Sequence, residues 1–267
     1  MKIKNISFGK TLMMLLLLAI TSCQKVVDLK LKDASGQMVT EGNVTNTNTS
    51  IVKLSQNVAF TSSNTYPPVS GATVTISDQT GKSYNLTEGI AGMYSSGQLK
   101  GISLNTYNLT VQTGGKTYTA SSTMPAAIAL DSITAKNAEF NNGNNRKEIT
   151  VSYLDPAGIK NQYLFLMYVN GVQVKGIFVY NDDLTDGKHV STQLRQDDVD
   201  IYPGDIVKVE MQCIDKANYT YWYALRQQQQ NGPGGGVTPS NPPSNLTNNA
   251  LGYFSAHTLQ TKTIVVK

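Results

Sequence analysis

Side chains able to do chemistry are few in this chain of 267 residues, and their spacing limits what they can do. The densest run is Asn181-Asp182-Asp183-Leu184-Thr185-Asp186-Gly187-Lys188-His189. Oxygen-rich runs bind calcium, but this one lacks the EF-hand spacing and its terminal glutamate. It reads as a polar loop between strands, and no metal site is expected. Asp197, Asp198 and Asp200 form a second acidic patch, read as solvated. With His189 and His257 as the only imidazoles, general-base catalysis has few candidates. Gly81-Lys82-Ser83 and Gly115-Lys116-Thr117 match the end of a phosphate-binding loop, yet the glycine needed five residues earlier is Ile76 or Thr110. No His-Glu-x-x-His, Cys-x-x-Cys or Gly-x-Ser-x-Gly occurs. The expectation is a protein without cofactor and without enzymatic activity; a hydrolase built on an acidic pair is the weakest reading.

The chain has two cysteines, with different surroundings. Cys213 lies in the alternating run Ile206-Val207-Lys208-Val209-Glu210-Met211-Gln212-Cys213 and reads as a small buried hydrophobe. Cys23 ends a basic start (Lys2, Lys4, Lys10) and an apolar run from Leu12 to Ile20, the layout of a secretory signal peptide too short to span a bilayer. Ile20-Thr21-Ser22-Cys23 resembles the bacterial lipobox, whose cysteine is acylated after cleavage. Residues 1–22 are therefore expected to be a lipoprotein signal peptide, with Cys23 the lipid-attachment residue. One acyl chain gives only reversible membrane binding, at about 0.8 kcal/mol per buried methylene, whereas the three chains of a lipoprotein make a lasting anchor. Loss of Lys2, Lys4 and Lys10 with that segment lowers the formal net charge from +4 to +1, which leaves no electrostatic footprint for nucleic acid.

These residues must be positioned by a body that reads as β. Residues 23–36 are expected to form an acylated tether, 37–126 a β-sandwich domain, and 127–267 a second β-rich domain. In the first block Val74 with Ile76, Tyr84 with Leu86, Tyr107 with Leu109 and Val111, and Tyr118 with Ala120 alternate at period two. Asp78-Gln79-Thr80-Gly81 and Gly114-Gly115 supply turns. The second block alternates at Ile149, Val151 and Tyr153, then gives a hairpin at Asn170-Gly171. From about 215 to 230 the rhythm changes to that of an amphipathic helix, with Asp215 at the N-cap position. Its Tyr221, Trp222 and Tyr223, with Tyr253 and Phe254 further on, are candidate ligand or partner contacts, though such faces more often pack on a sheet. A Gly/Pro/Asn loop fills 231–249, and two final strands are expected, Leu251 to Ala256 and Leu259 to Val266.

Several motifs resemble known proteins. Pro67-Pro68-Val69-Ser70-Gly71-Ala72-Thr73-Val74-Thr75-Ile76, Gly92-Met93-Tyr94 and Tyr107-Asn108-Leu109-Thr110-Val111 resemble immunoglobulin-like or carboxypeptidase-regulatory-like modules. With the lipobox, Val26-Val27-Asp28-Leu29, Thr40-Glu41-Gly42, Thr117-Tyr118-Thr119-Ala120, Asn241-Pro242-Pro243-Ser244-Asn245 and Ala250-Leu251-Gly252-Tyr253-Phe254-Ser255-Ala256, the chain resembles the Bacteroidota outer-membrane lipoproteins grouped as domain of unknown function 4249. That resemblance implies a lipid-anchored outer-membrane protein, facing periplasm or exterior, that accompanies a TonB-dependent receptor as a non-enzymatic accessory or binding module. The alternative expectation is a stand-alone surface glycan or peptide binder.

Overall fold

Period-two sequence becomes strand after strand, because alternation lets one face of a strand enter a core while the other meets water. The computed structural model describes residues 35–47, 50–59, 62–63, 65–139, 145–229 and 240–267. The expected signal peptide, Cys23, nearly all of the tether and residues 231–239 of the Gly/Pro/Asn loop lie outside the described residues.

The strands are β1 (Met38–Thr45), β2 (Ser50–Gln56), β3 (Thr73–Asp78), β4 (Ser83–Glu88), β5 (Met93–Ser96), β6 (Thr106–Thr113), β7 (Lys116–Thr123), β8 (Leu130–Asn137), β9 (Lys147–Leu154), β10 (Gln162–Val169), β11 (Val172–Gln173), β12 (Phe178–Asn181), β13 (His189–Gln193), β14 (Ile206–Cys213) and β15 (Leu251–Val265), with one described helix, α1 (Lys216–Gln229). The protein is mainly β. No helix among the described residues is long and apolar enough to cross a membrane.

Strands β15-β1-β2-β5-β4-β3-β6-β7 are hydrogen-bonded neighbours in that order, and β7 packs back against β15. They enclose a core of Val44, Val52, Leu54, Ile76, Leu109, Val111 and Phe254 among others. A second sandwich places β10, β14 and the far half of β15 against the three-stranded sheet β13-β9-β8, around Ile149, Val151, Tyr163, Phe165, Val209 and Met211. The Asn170-Gly171 hairpin forms as its dipeptide requires, with φ of 51° and 83° at the two turn residues and Val169 opposite Val172.

The two final strands expected from the sequence are one. His257 pairs with Thr45 and Thr258 with Cys213, so β15 passes from one sheet neighbourhood to the next without turning. Its first half lies parallel to β1, from Val39↔Leu251 to Thr45↔His257, and its second half antiparallel to β14. Leu246, Ala250, Phe254 and Ala256 consequently lie in the core built by residues 38–124, although they come from the end of the chain.

Several motif residues have local reasons. The Tyr94 hydroxyl donates to Val69 O at 2.9 Å and accepts from Ala72 N at 3.0 Å, which ties the Pro-Pro-Val-Ser-Gly-Ala approach to β5. Glu88 accepts from Gly71 N at 2.9 Å and Gly92 N at 2.8 Å, and these backbone donors hold its carboxyl below the usual range. Gly42 faces Phe254 in register, and a Cβ there would stand 2.9 Å from the Phe254 ring.

The first half of β15 is met on its other edge by side chains. Asn245 accepts from Phe254 N at 2.9 Å and donates to Phe254 O at 2.7 Å, imitating one residue of a neighbouring strand. Asn218 of α1 donates to the same carbonyl at 3.0 Å, and Ser122 Oγ accepts from Ala256 N at 2.8 Å. Ser122 also donates to Asp215 Oδ2 at 2.5 Å, while Asp215 Oδ1 accepts from Asn218 N at 2.9 Å as the helix N-cap. One network thus fixes β7, α1, the 240–250 segment and β15 together. Asn245→Ala leaves the Phe254 N–H without that acceptor, and should lower unfolding stability by about 2 kcal/mol. A urea midpoint unchanged within error would contradict this role.

Candidate functional site

The register of β15, β1 and β2 determines which side chains face outward together. Met38, Thr40 and Val44 point into the core, so Val39 and Glu41 point out, beside Leu251 and Tyr253 on one strand and Ser55 and Lys53 on the other. This face floors a cleft of about 400 Å³. Tyr221 of α1 forms one wall, Asn241 and Pro242 another, and Tyr66 stands at the rim with 54 % of its surface exposed. The floor is polar at Glu41 and Lys53, which pair at 2.8 Å, and at Ser55 and Asn57; Val39, Leu251, Pro242 and the two tyrosines give it apolar surface. A concave apolar surface with a few converging polar groups is the usual construction of a binding site.

Of the aromatic candidates, Tyr221, Trp222 and Tyr253 come together, with ring centroids 5.2–5.5 Å apart. Burial pushes the Tyr221 and Tyr253 hydroxyls up to about 12, Glu41 adding to the effect. Trp222 and Tyr219 pack against Leu164, Val179 and Ile214 on the outer face of the second sandwich, so this part of the helix is a packing face. The Trp222 Nε1 atom is buried with no hydrogen-bond partner. Tyr223 stacks on Tyr219 and is 41 % exposed. Phe254 requires correction. It is fully buried in the first core because its position in the β15–β1 register points inward, so it cannot contact a ligand.

The sequence reading missed the floor residues Val39, Glu41, Lys53, Ser55 and Asn57 and the wall residues Asn241 and Pro242. Alternation in β1 and β2 separates inward from outward residues, but only the parallel pairing of β1 with β15 shows that the outward ones meet Tyr221 and Tyr253. A larger groove of about 520 Å³ lies elsewhere, lined by Lys175, Arg195, Asp197, Asp198, Arg226 and others. It is charged and shares none of the aromatic candidates, so the smaller cleft is the better-built site.

The Cys213 thiol is buried and pushed up by burial, which makes it unreactive. His257 is buried within β15 with Nδ1 3.0 Å from Ser255 Oγ, and burial lowers it to about 4. His189 begins β13 on the surface. The run 181–189, read as a polar loop between strands, does connect β12 to β13, but one of its acids is interior: Asp182 is 1 % exposed, and it lies beside Asp155, 0 % exposed, from a different turn.

A family model described as Domain of unknown function (DUF4249) matches residues 24–263. No curated protein matches the chain. Among solved structures, the chicken interferon gamma receptor alpha chain is similar at 8 % identity with a TM-score of 0.23, covering 66 % of this chain and 88 % of that one. The Yersinia pseudotuberculosis adhesin InvE is similar at 17 % identity with a TM-score of 0.23, over 67 % of this chain and 57 % of that one. These two likenesses add nothing to the architecture read from the chain itself.

Proposed function

We propose, for a chain that belongs to the DUF4249 family, the role of a lipid-anchored, non-enzymatic binding module of the bacterial outer membrane that works beside a TonB-dependent transporter. The observation that carries this reading is the cleft over β15-β1-β2, whose apolar walls and converging polar groups suit a short extended segment or a sugar of a partner. The layout of residues 1–23 supports the anchor, since three acyl chains on Cys23 would hold the body at a membrane without a spanning helix. A fixed anchor raises the effective concentration of a membrane partner, so a modest interface at the cleft suffices.

The test is affinity purification of the full chain from detergent-solubilised membranes, followed by mass spectrometry. The expected result is recovery of a β-barrel receptor by the natural chain, with recovery reduced at least about tenfold by Tyr221→Ala, as for loss of a central aromatic contact. Cys23→Ser serves as the arm that separates anchoring from partnership. Recovery of no barrel protein under any condition argues against the transporter role.

A second reading has its own observation: Tyr66 and Tyr221 flank the same cleft, an arrangement suited to stacking on a sugar ring. Saturable binding on a glycan array, lost in Tyr66→Ala and without any barrel partner, would favour a stand-alone surface glycan binder.

A further inference from the structure

The two sheets of the second sandwich are joined at one end by two loops that the strand register forces together. One loop, residues 155–161, runs from β9 to β10; the other, residues 182–188, runs from β12 to β13. Leu154 pairs with His189 in one sheet, and Gln162 pairs with Asn181 in the other, so both ends of both loops are fixed side by side. Asp155 follows immediately after the first pair and Asp182 after the second. With Asp186 they place a carboxylate oxygen each within 4.8 Å of one another.

Asp155 and Asp182 are 0 % and 1 % exposed. Burying two neighbouring carboxylates demands compensation, because each loses its hydration and each repels the other. Part of that compensation is visible. Tyr163 donates its hydroxyl to Asp155 Oδ1, and Thr185 Oγ1 donates to Asp155 Oδ2 at 3.3 Å. Asn161 N donates to Asp182 Oδ2 at 3.0 Å, and Gly158 N donates to Asp186 Oδ1 at 2.7 Å. The remaining oxygen of the two buried carboxylates, Asp182 Oδ1, is itself buried and has no hydrogen bond. Among the described residues the nearest cation is the Lys160 ammonium, 3.6 Å from it, on a side chain that is 75 % exposed and equally near Asp183 at 3.5 Å. Lys188 turns to Leu184 O at 3.0 Å. Among the described residues, the one ion pair made to the three carboxylates is that of the solvated Lys160 ammonium with Asp182.

We propose that Asp155, Asp182 and Asp186 hold a calcium ion that ties the two loops, and so the two sheets, together. The donor set is all oxygen, which suits a hard cation, and neither a histidine nor a cysteine belongs to the group, which disfavours zinc. Calcium accepts irregular sets of six to eight oxygens, so carboxylates from two loops can be completed by the Thr185 hydroxyl, loop carbonyls and water; magnesium requires a stricter octahedron. The run 181–189 alone lacks the EF-hand spacing because one ligand comes from another connection. The site is independent of the cleft and of the transporter reading.

Terbium luminescence on the full-length protein in detergent tests this directly, with two antennae: Tyr163, which donates to Asp155, and Tyr153, whose ring centroid lies 4.7 Å from that of Tyr163. Saturable sensitised emission is expected, displaced by calcium and far less by magnesium. Asp182→Asn and Asp186→Asn should each weaken binding at least about tenfold, as expected for losing one of three carboxylate ligands. Asp183→Asn, an exposed carboxylate outside the group, should leave binding intact. Calcium at about 100-fold above its Kd should also raise Tm by about 5 °C, an increase absent in Asp186→Asn. Because Asp182→Asn alters a buried site and can impair folding, the exposed Asp186 variant decides between outcomes. No saturable emission, equal displacement by magnesium, or unchanged affinity in Asp186→Asn would overturn the assignment.

Discussion

Gly252→Ala is expected to destabilise the protein by more than about 4 kcal/mol, a large share of the stability of an ordinary domain. Gly252 holds φ at +92°, and a Cβ there would lie 2.0 Å from the backbone oxygen of Thr40, its register partner on β1. Backbone cannot rotate away as a long side chain can, so the β1–β15 pairing must open. That pairing joins the last described strand to the first and supports the floor of the cleft. Gly204→Ala is the natural control: φ is +99° there, but nothing lies within 4 Å of the added carbon. It should cost only the conformational penalty, about 1–2 kcal/mol. Chemical denaturation of the two variants separates strain from collision, and equal losses would refute the collision.

Acid should weaken the fold in a window set by His257. Burial lowers this imidazole to about 4 from an ordinary value of 6.5, and Ser255 is its close polar neighbour. Between those values the unfolded chain binds a proton that the folded chain refuses, so unfolding stability rises with pH there. The contribution is complete above about 6.5, declines as pH falls, and is exhausted below about 4, for a total of about 3 kcal/mol. Asp78 and Glu88 act lower, because their hydrogen bonds hold them below the normal carboxylate range. Urea midpoints measured across pH 4 to 7 should slope for the natural chain and flatten for His257→Leu. Parallel profiles would remove His257 from this account.

The location of His257 shows why some features were legible in the sequence and others were not. Its burial could not be inferred from the expectation of two final strands, which placed it in the turn between them. One continuous β15 instead carries it through the interior. Hairpins and helix ends were different, since short-range chemistry specifies them: Asn170 and Gly171 meet the positive φ values of their turn, and Asp215 reaches the N–H three residues on. Inward faces were legible for the same reason, as Tyr107, Leu109 and Val111 or Ile149, Val151 and Tyr153 demonstrate.

Contacts between distant segments were not legible. The motif pair around Asn245 and Phe254 was visible as sequence, but not that one side chain supplies a missing strand neighbour to the other residue's backbone. Aromatic character marked Phe254 as a contact, whereas its register buries it.

By itself the sequence determined the β class, most strand faces, the helix with its cap, and the membership of a family recognised across residues 24–263. These follow from local rules, in which a residue's neighbours a few positions away decide its conformation and its face. Tertiary structure alone decided that β15 serves two sandwiches, that its pairing with β1 lays a cleft beside Tyr221, and that Asp155 meets Asp182 and Asp186. Those outcomes depend on pairing partners far apart along the chain, chosen by burial of whole strands together, and no short window of sequence contains that choice.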